Sequence, residues 1–191
     1  MTEGFEAYLM SLRGSWCALA EPRPGAELVD GDGFFAARFP GYPVLDNAAV
    51  LTPSAVAGAV AVYGGLSSFS LWSAEPAVAA AIAEAGLERS ETTVPMRCDL
   101  TAAPPVEAPD VVEDVDPAVV ADLNHVDREL LRDVPGLRAF ATADGDSGLV
   151  LIRLGTDVNV SFVATRPERR RRGRASAVLH RALASERAAG A

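Results

Sequence analysis

The sequence predicts an α/β (α+β) chain, with a mixed, mostly antiparallel sheet flanked by helices. Three observations carry that reading. Leu137–Ala143 and Gly148–Leu154 are apolar runs joined by Asp-Gly-Asp-Ser, which is a hairpin signal. Val158, Val160, Phe162 and Ala164 alternate with Asn159, Ser161 and Thr165, the period of a strand. From Gly173 the period changes, and Ala175, Val178, Leu179, Ala182 and Leu183 form one stripe on a helix.

Taken in order, residues 5–20 place Phe5, Tyr8, Leu9, Leu12 and Trp16 at helical spacing, and Pro22 and Pro24 stop that helix. A hairpin follows, from Ala26–Val29 through the Gly31-Asp32-Gly33 turn to Phe34–Phe39. After the apolar segment that follows Asn47, Thr52 and Pro53 read as the N-cap and first residue of a helix reaching about Tyr63. Ser67–Trp72 reads as a strand, Glu75-Pro76 opens a second helix that Gly86 caps, and Glu88–Leu100 is a long extended run. Thr101–Pro109 has the composition of a linker. Beyond it Val111–Val115 is a short strand, and Asp116-Pro117 starts a helical stripe through Val119, Val120, Leu123, Val126, Leu130 and Leu131.

Between the last strand and the last helix stand Arg166, Arg169, Arg170, Arg171, Arg172 and Arg174. Cations at a helix start oppose the macrodipole, each costing roughly 0.3–1 kcal/mol. The conflict disappears if the site holds an anion, because arginines, dipole and unpaired backbone N–H groups then act together. Gly173 lets the backbone approach that anion closely. Taken alone, the arginine run equally suits a solvated turn or a nucleic-acid patch. Strand and helix in register around it favour a phosphate-bearing ligand.

Arg170-Arg171-Arg172-Gly173-Arg174-Ala175 resembles the Arg/Gln-x-x-Gly-x-Gly/Ala signature of GCN5-related N-acetyltransferases (GNAT), and the preceding Val-Ala-Thr-Arg-Pro-Glu resembles the end of that family's fourth strand. The resemblance implies an acyl-CoA N-acyltransferase-like fold with acetyl-CoA as co-substrate. Its pyrophosphate would lie on Arg170, Arg171, Arg172, Gly173, Arg174, Ala175 and Ser176, and its pantetheine arm along Phe162, Val163, Ala164 and Thr165. It also implies that residues 110–191 form the CoA-binding domain. Residues 101–109 would then be a Pro-rich linker and residues 1–100 an accessory, degenerate acetyltransferase-like half. A fifth strand, a fourth helix and a final hairpin are expected after the third helix and are missing, so the chain reads as truncated. The open side of the Val158–Ala164 strand would then need a cover, either residues 67–72 or the partner subunit of a homodimer.

Acetyl transfer needs a base for the amine, an acid for the thiolate and an N–H for the developing oxyanion. A backbone N–H near Val163 is the candidate oxyanion donor. Asp157, Asn159 and Ser161 are the catalytic candidates: the first as a carboxylate at the strand mouth, the others to orient an amine or a water. As a turn residue beside Gly155, Asp157 has a purely structural reading as well. His125 and His180 lie off the apolar stripes, and Tyr8, Tyr42 and Tyr63 all precede the linker, so no proton donor is assigned.

Charge narrows the partners. Residues 166–187 carry eight arginines against Glu168 and Glu186, or +6, so the remainder carries −15 of the −9 total. An acidic body with one basic loop suits a small anion better than a long polyanion, so no nucleic-acid partner is expected. The chain has no lysine, which excludes a Lys-dependent phosphate loop. Cys17 and Cys98 form no metal or redox motif, and Glu3 and Glu6 precede any arginine, unlike a secretory signal. The longest apolar stretch, Ala48 to Val62, is too broken and short to span a bilayer. The expectation is a cytoplasmic N-acetyltransferase acting on an amine of unread identity, with neither metal nor membrane. The alternative is a non-catalytic CoA-binding or regulatory pseudoenzyme.

Overall fold

A computed structural model of the chain describes residues 3–90, 92, 94, 96–101 and 110–190, with side chains from Glu6 onward. It contains two four-stranded sheets and divides into two compact units. One unit comprises Met1–Leu19 with Met96–Ala191, and the other Ala20–Pro95. The first helix therefore belongs with the C-terminal domain, although sequence order places it in the N-terminal half. The linker expected at 101–109 lies, apart from Thr101, outside the described residues.

In the unit formed by residues 20–95, β1 (Glu27–Gly31) and β2 (Phe34–Arg38) are the expected hairpin. β2 pairs antiparallel with β3 (Asn47–Val50), and β3 pairs parallel with β4 (Ser70–Trp72). A crossover of a 3-10 turn at Pro53–Ala55 and helix α2 (Val56–Val62) links β3 to β4, as a parallel pair requires. Thr52 makes no capping bond to the backbone; its hydroxyl meets Ser54 at 3.2 Å, so the expected helix starts as a 3-10 turn. Helix α3 (Pro76–Glu84) follows, and Gly86 ends it at φ +84°. The core gathers Ala36, Ala48, Val50, Val56, Ala59, Tyr63 and Val78. Small residues on β2 and β3 let α2 lie close to the sheet. Buried Tyr63 donates its hydroxyl to the Ala37 carbonyl at 3.1 Å; burial, then nearby Asp46, pushes its phenol well above the usual range.

The described residues of the expected 88–100 strand join no sheet. Val94 and Met96 are exposed, and apolar side chains are too sparse there to bury a strand face.

In the other unit, β5 (Val111–Glu113), β6 (Leu137–Thr142), β7 (Ser147–Leu154) and β8 (Asp157–Thr165) form an antiparallel sheet in sequence order. The helix after Asp116 is α4 (Pro117–Leu123), with the Asp116 carboxylate accepting from Ala118 N at 2.9 Å. It is shorter than its apolar stripe suggests. The chain turns at Asn124 and at His125, whose φ is +57°, and resumes as a 3-10 segment, Arg128–Leu131, capped by Asp127. The last helix is α5 (Arg174–Ala188).

The sheet has helices on both faces. Leu149 and Leu151 of β7, Phe140 of β6 and Val160 of β8 pack against Val178 and Ala182 of α5. On the other face Gly148 lies against Val120 and Leu123 of α4, and Leu154 against Gly14 of helix α1 (Glu3–Ala20). β8 pairs with β7 on one side, and β4, one of the two covers expected for its other side, pairs instead with β3 in the other sheet.

Candidate acyl-donor site

The alternation along β8 is interrupted. Val150 pairs with Ser161 and Gly148 with Ala164, so Phe162 and Val163 together stand opposite the single residue Leu149. This is a β-bulge, and Phe162 sits in it at φ +54°, a left-handed conformation costly for a bulky side chain. The extra residue reverses the side-chain phase. Ala164 therefore falls on the α4 face with Ser161, and Thr165 on the α5 face with Val160, where its hydroxyl meets that of Ser147 at 2.8 Å. The unbroken alternation read from sequence fails beyond Ser161 for this reason.

The bulge is held from the α4 side. The Asn124 side-chain amide donates to the Val120 carbonyl at 2.9 Å and to the Phe162 carbonyl at 2.8 Å. Neither Phe162 nor Val163 has a ladder partner on β7, and Val163 is 48% exposed. In a trans peptide the C=O of one residue and the N–H of the next point in opposite directions. Fixing the Phe162 carbonyl toward Asn124 thus aims the Val163 N–H away from α4.

Eleven residues after the bulge comes the start of α5. Arg166 precedes the 3-10 turn Pro167–Arg169, Arg171 is left-handed at φ +60°, and Gly173 caps α5 at φ +74°. A Cβ at Gly173 would meet nothing within 4 Å, so glycine serves here for its dihedral angles and for open space above the helix end. No side chain caps α5 and no acidic residue stands in its first turn. The N–H groups of Arg174, Ala175 and Ser176 have no intrahelical acceptor; the first α5 bond back to Gly173 is that of Ala177.

The arginines divide into two groups. Arg166 and Arg169 pair with Asp146 at 3.2 and 2.8 Å, and Arg174 pairs with Asp144 at 2.6 Å. The Thr142 hydroxyl, and then Arg174, hold the Asp144 carboxyl well below its usual range. Arg170 turns back to the Thr165 carbonyl at 3.1 Å. Arg171 and Arg172 are exposed and make no polar contact among the described residues. The Asp-Gly-Asp-Ser turn between β6 and β7 therefore supplies counter-ions as well as a hairpin. The six arginines do not all oppose the dipole; the unbalanced charge is concentrated at Arg171 and Arg172, beside the uncapped helix end.

The proposed catalytic side chains are placed differently. Asp157 opens β8, five residues before Phe162, or roughly 16 Å at strand rise. Asn159 and Ser161 share the face toward α1: Ser161 donates to the Asn159 carbonyl oxygen at 2.5 Å, and Asn159 donates to the Ser11 hydroxyl at 3.0 Å. His125 and His180 are exposed. Asn124, the bulge and the two turn aspartates are additions from the structure. Asn124 lies in a stretch that reads as continuous helix, and a bulge leaves no local signature.

No family model matches the chain, and no curated protein matches it. Among solved structures it is similar to a GCN5-related N-acetyltransferase from Kribbella flavida, at 17% identity over 100% of this chain and 84% of that one, with a TM-score of 0.59. It is also similar to a protein assigned to the GNAT acetyltransferases from Novosphingobium aromaticivorans, at 19% identity over 93% of this chain and 81% of that one, with a TM-score of 0.54. At these identities the likeness fixes the architecture and leaves the chemistry to the site: the chain has the mixed α/β, mostly antiparallel fold of the GNAT acetyltransferases.

Proposed function

We propose that this chain is an N-acetyltransferase that takes its acyl group from acetyl-CoA and passes it to an amine. The observation that carries the reading is the continuity of the β8 bulge with the arginine loop and the uncapped start of α5. A thioester with a long phosphorylated tail is a ligand whose two ends match those two features. Arg171 and Arg172, with the N–H groups at residues 174–176, would take the pyrophosphate. The edge of β8 from Phe162 to Thr165 would lie along the pantetheine. In the reaction the amine nitrogen attacks the thioester carbonyl carbon, a C–N bond forms, the C–S bond breaks, and the sulfur leaves as CoA thiolate. The amine proton passes to solvent or to the departing thiolate. The Val163 N–H would donate to the carbonyl oxygen as negative charge develops there. The acidic remainder of the chain favours a small or peptidic cationic amine over a nucleic acid. Reduced cysteines and a metabolic co-substrate support a cytoplasmic setting. Among the described residues no helix is long and apolar enough to cross a membrane.

The test is calorimetric titration with CoA. Wild type binds, its affinity falls with salt, and Gly173→Glu lowers it more than tenfold, the order expected of about 1.4 kcal/mol or more. Asparagine tolerates left-handed dihedrals, so Gly173→Asn retains most of the affinity. Absence of heat with folded wild type overturns the reading. A second reading, CoA binding without catalysis, draws support from Asp157 standing far from the bulge and from Asn159 and Ser161 being bonded to each other and to Ser11. Binding without thioester turnover across a panel of amines would select it.

A further inference from the structure

We propose that Asn124 is a positioning residue for acyl transfer, setting the direction and donor strength of the Val163 N–H. The proposal rests on the acetyl-CoA reading above and identifies what regulates the geometry of that site. Both amide hydrogens of Asn124 are engaged. One anchors the side chain to the Val120 carbonyl at 2.9 Å, and the other holds the Phe162 carbonyl at 2.8 Å.

Three facts turn this bond into a functional one. Phe162 is left-handed at φ +54° in a bulge where it and Val163 share the single opposite residue Leu149, so its peptide departs from the regular ladder register. That carbonyl shares a peptide plane with the Val163 N–H, so orienting one orients the other in the opposite sense. A hydrogen bond accepted by a peptide carbonyl also polarises its N–H, by roughly 10–30% per bond. The α4 helix ends one residue before Asn124, which sits at its C-cap with Val120 inside the last turn.

The experiment is calorimetric titration of wild type, Asn124→Ala and Asn124→Asp with CoA and with acetyl-CoA separately. Asn124→Asp keeps the shape and removes both donors. The quantity read is the ratio of the two dissociation constants, in which phosphate binding and overall charge cancel. Wild type should prefer acetyl-CoA by roughly three- to tenfold, the worth of one hydrogen bond to the thioester carbonyl. Both variants should bring the ratio to about one while CoA affinity changes much less. Arg128→Ala loosens the same α4 turn, through loss of its exposed pair with Asp122, without touching the bulge, and should leave the ratio at its wild-type value. As a second readout, the Val163 amide proton in wild type should shift further downfield with acetyl-CoA than with CoA.

Retention of the wild-type ratio in both Asn124 variants overturns the proposal, as does an Arg128→Ala variant that loses the ratio equally. A wild type that binds CoA but shows neither a preference nor a further Val163 shift with acetyl-CoA also overturns it, leaving the phosphate site intact. Failure of wild type to bind CoA at all overturns the acetyl-CoA reading itself.

Discussion

Glu186 shows how much a single side chain contributes to the architecture of the site. It is 1% exposed on the inner face of α5, where its two oxygens accept from Arg138 at 2.8 Å and from Arg153 at 2.6 Å. Arg138 also pairs with Glu113 and Asp114 and lies over the Phe140 ring, and Arg181 reaches Glu113 at 2.7 Å. The network pins the C-terminal half of α5 to three strands. Removing its buried carboxylate would take the carboxylate partner from Arg153 and one of three from Arg138. We expect Glu186→Ala to cost about 2–3 kcal/mol, below the usual loss for a fully buried pair because both arginines keep some solvent contact, as urea denaturation would read. Acid should act through the same network. The Ser185 hydroxyl, then Arg138 and Arg181, hold Glu113 below its ordinary value, and Arg138 does the same for Asp114. A carboxylate with a depressed folded pKa stabilises the fold above its unfolded pKa, near pH 4, and loses that contribution as pH falls through the folded value. Stability of this unit should therefore be flat at neutral pH and fall below about pH 4, and Glu113→Gln should flatten that acid limb.

At the scale of elements, the β6–β7 turn and the loop before α5 act as one piece. Asp144 and Asp146 hold Arg174, Arg166 and Arg169, which leaves Arg171 and Arg172 without an acidic partner among the described residues. The two groups should behave differently on substitution. Arg171→Ala with Arg172→Ala should weaken CoA binding about tenfold or more, as loss of charge-assisted phosphate contacts implies. Arg166→Ala with Arg169→Ala should weaken it far less, since those charges are already balanced by Asp146. Equal losses in the two double variants, in parallel titrations at one salt concentration, would mean that the loop acts only by its total charge.

For the molecule as a whole, the two units have separate hydrophobic clusters, one around Tyr63 and one around Phe140. Domains with their own cores unfold as their own cooperative steps unless an extensive interface couples them. Scanning calorimetry should therefore show two transitions. CoA should raise only the transition of the unit that holds β8 and α5, because a ligand stabilises what it binds. A single transition that moves as one with CoA would show that the units are thermodynamically one.

The sequence by itself determined most of the elements and the arginine-loaded start of α5. Alternation, apolar stripes, Pro and Gly punctuation and a helix start loaded with arginine are local signals, written in neighbouring residues, and they place β6, β7, β8, α5 and the arginine loop close to where they occur. Only the tertiary structure decided the rest. The bulge at Phe162–Val163 exists because of its register against β7, and the hold of Asn124 on it links residues 38 apart in sequence. Asp144 and Asp146 become counter-ions because a hairpin brings its turn beside a loop some 20–30 residues later. Helix α1 joins the C-terminal unit through contacts such as Ser11 with Asn159, 148 residues apart. Periodicity reports which face of an element is apolar; it carries no information about which distant element will cover that face or which polar groups will meet there. The bulge and its tether to Asn124 are made of such meetings, and so they become visible only in the fold.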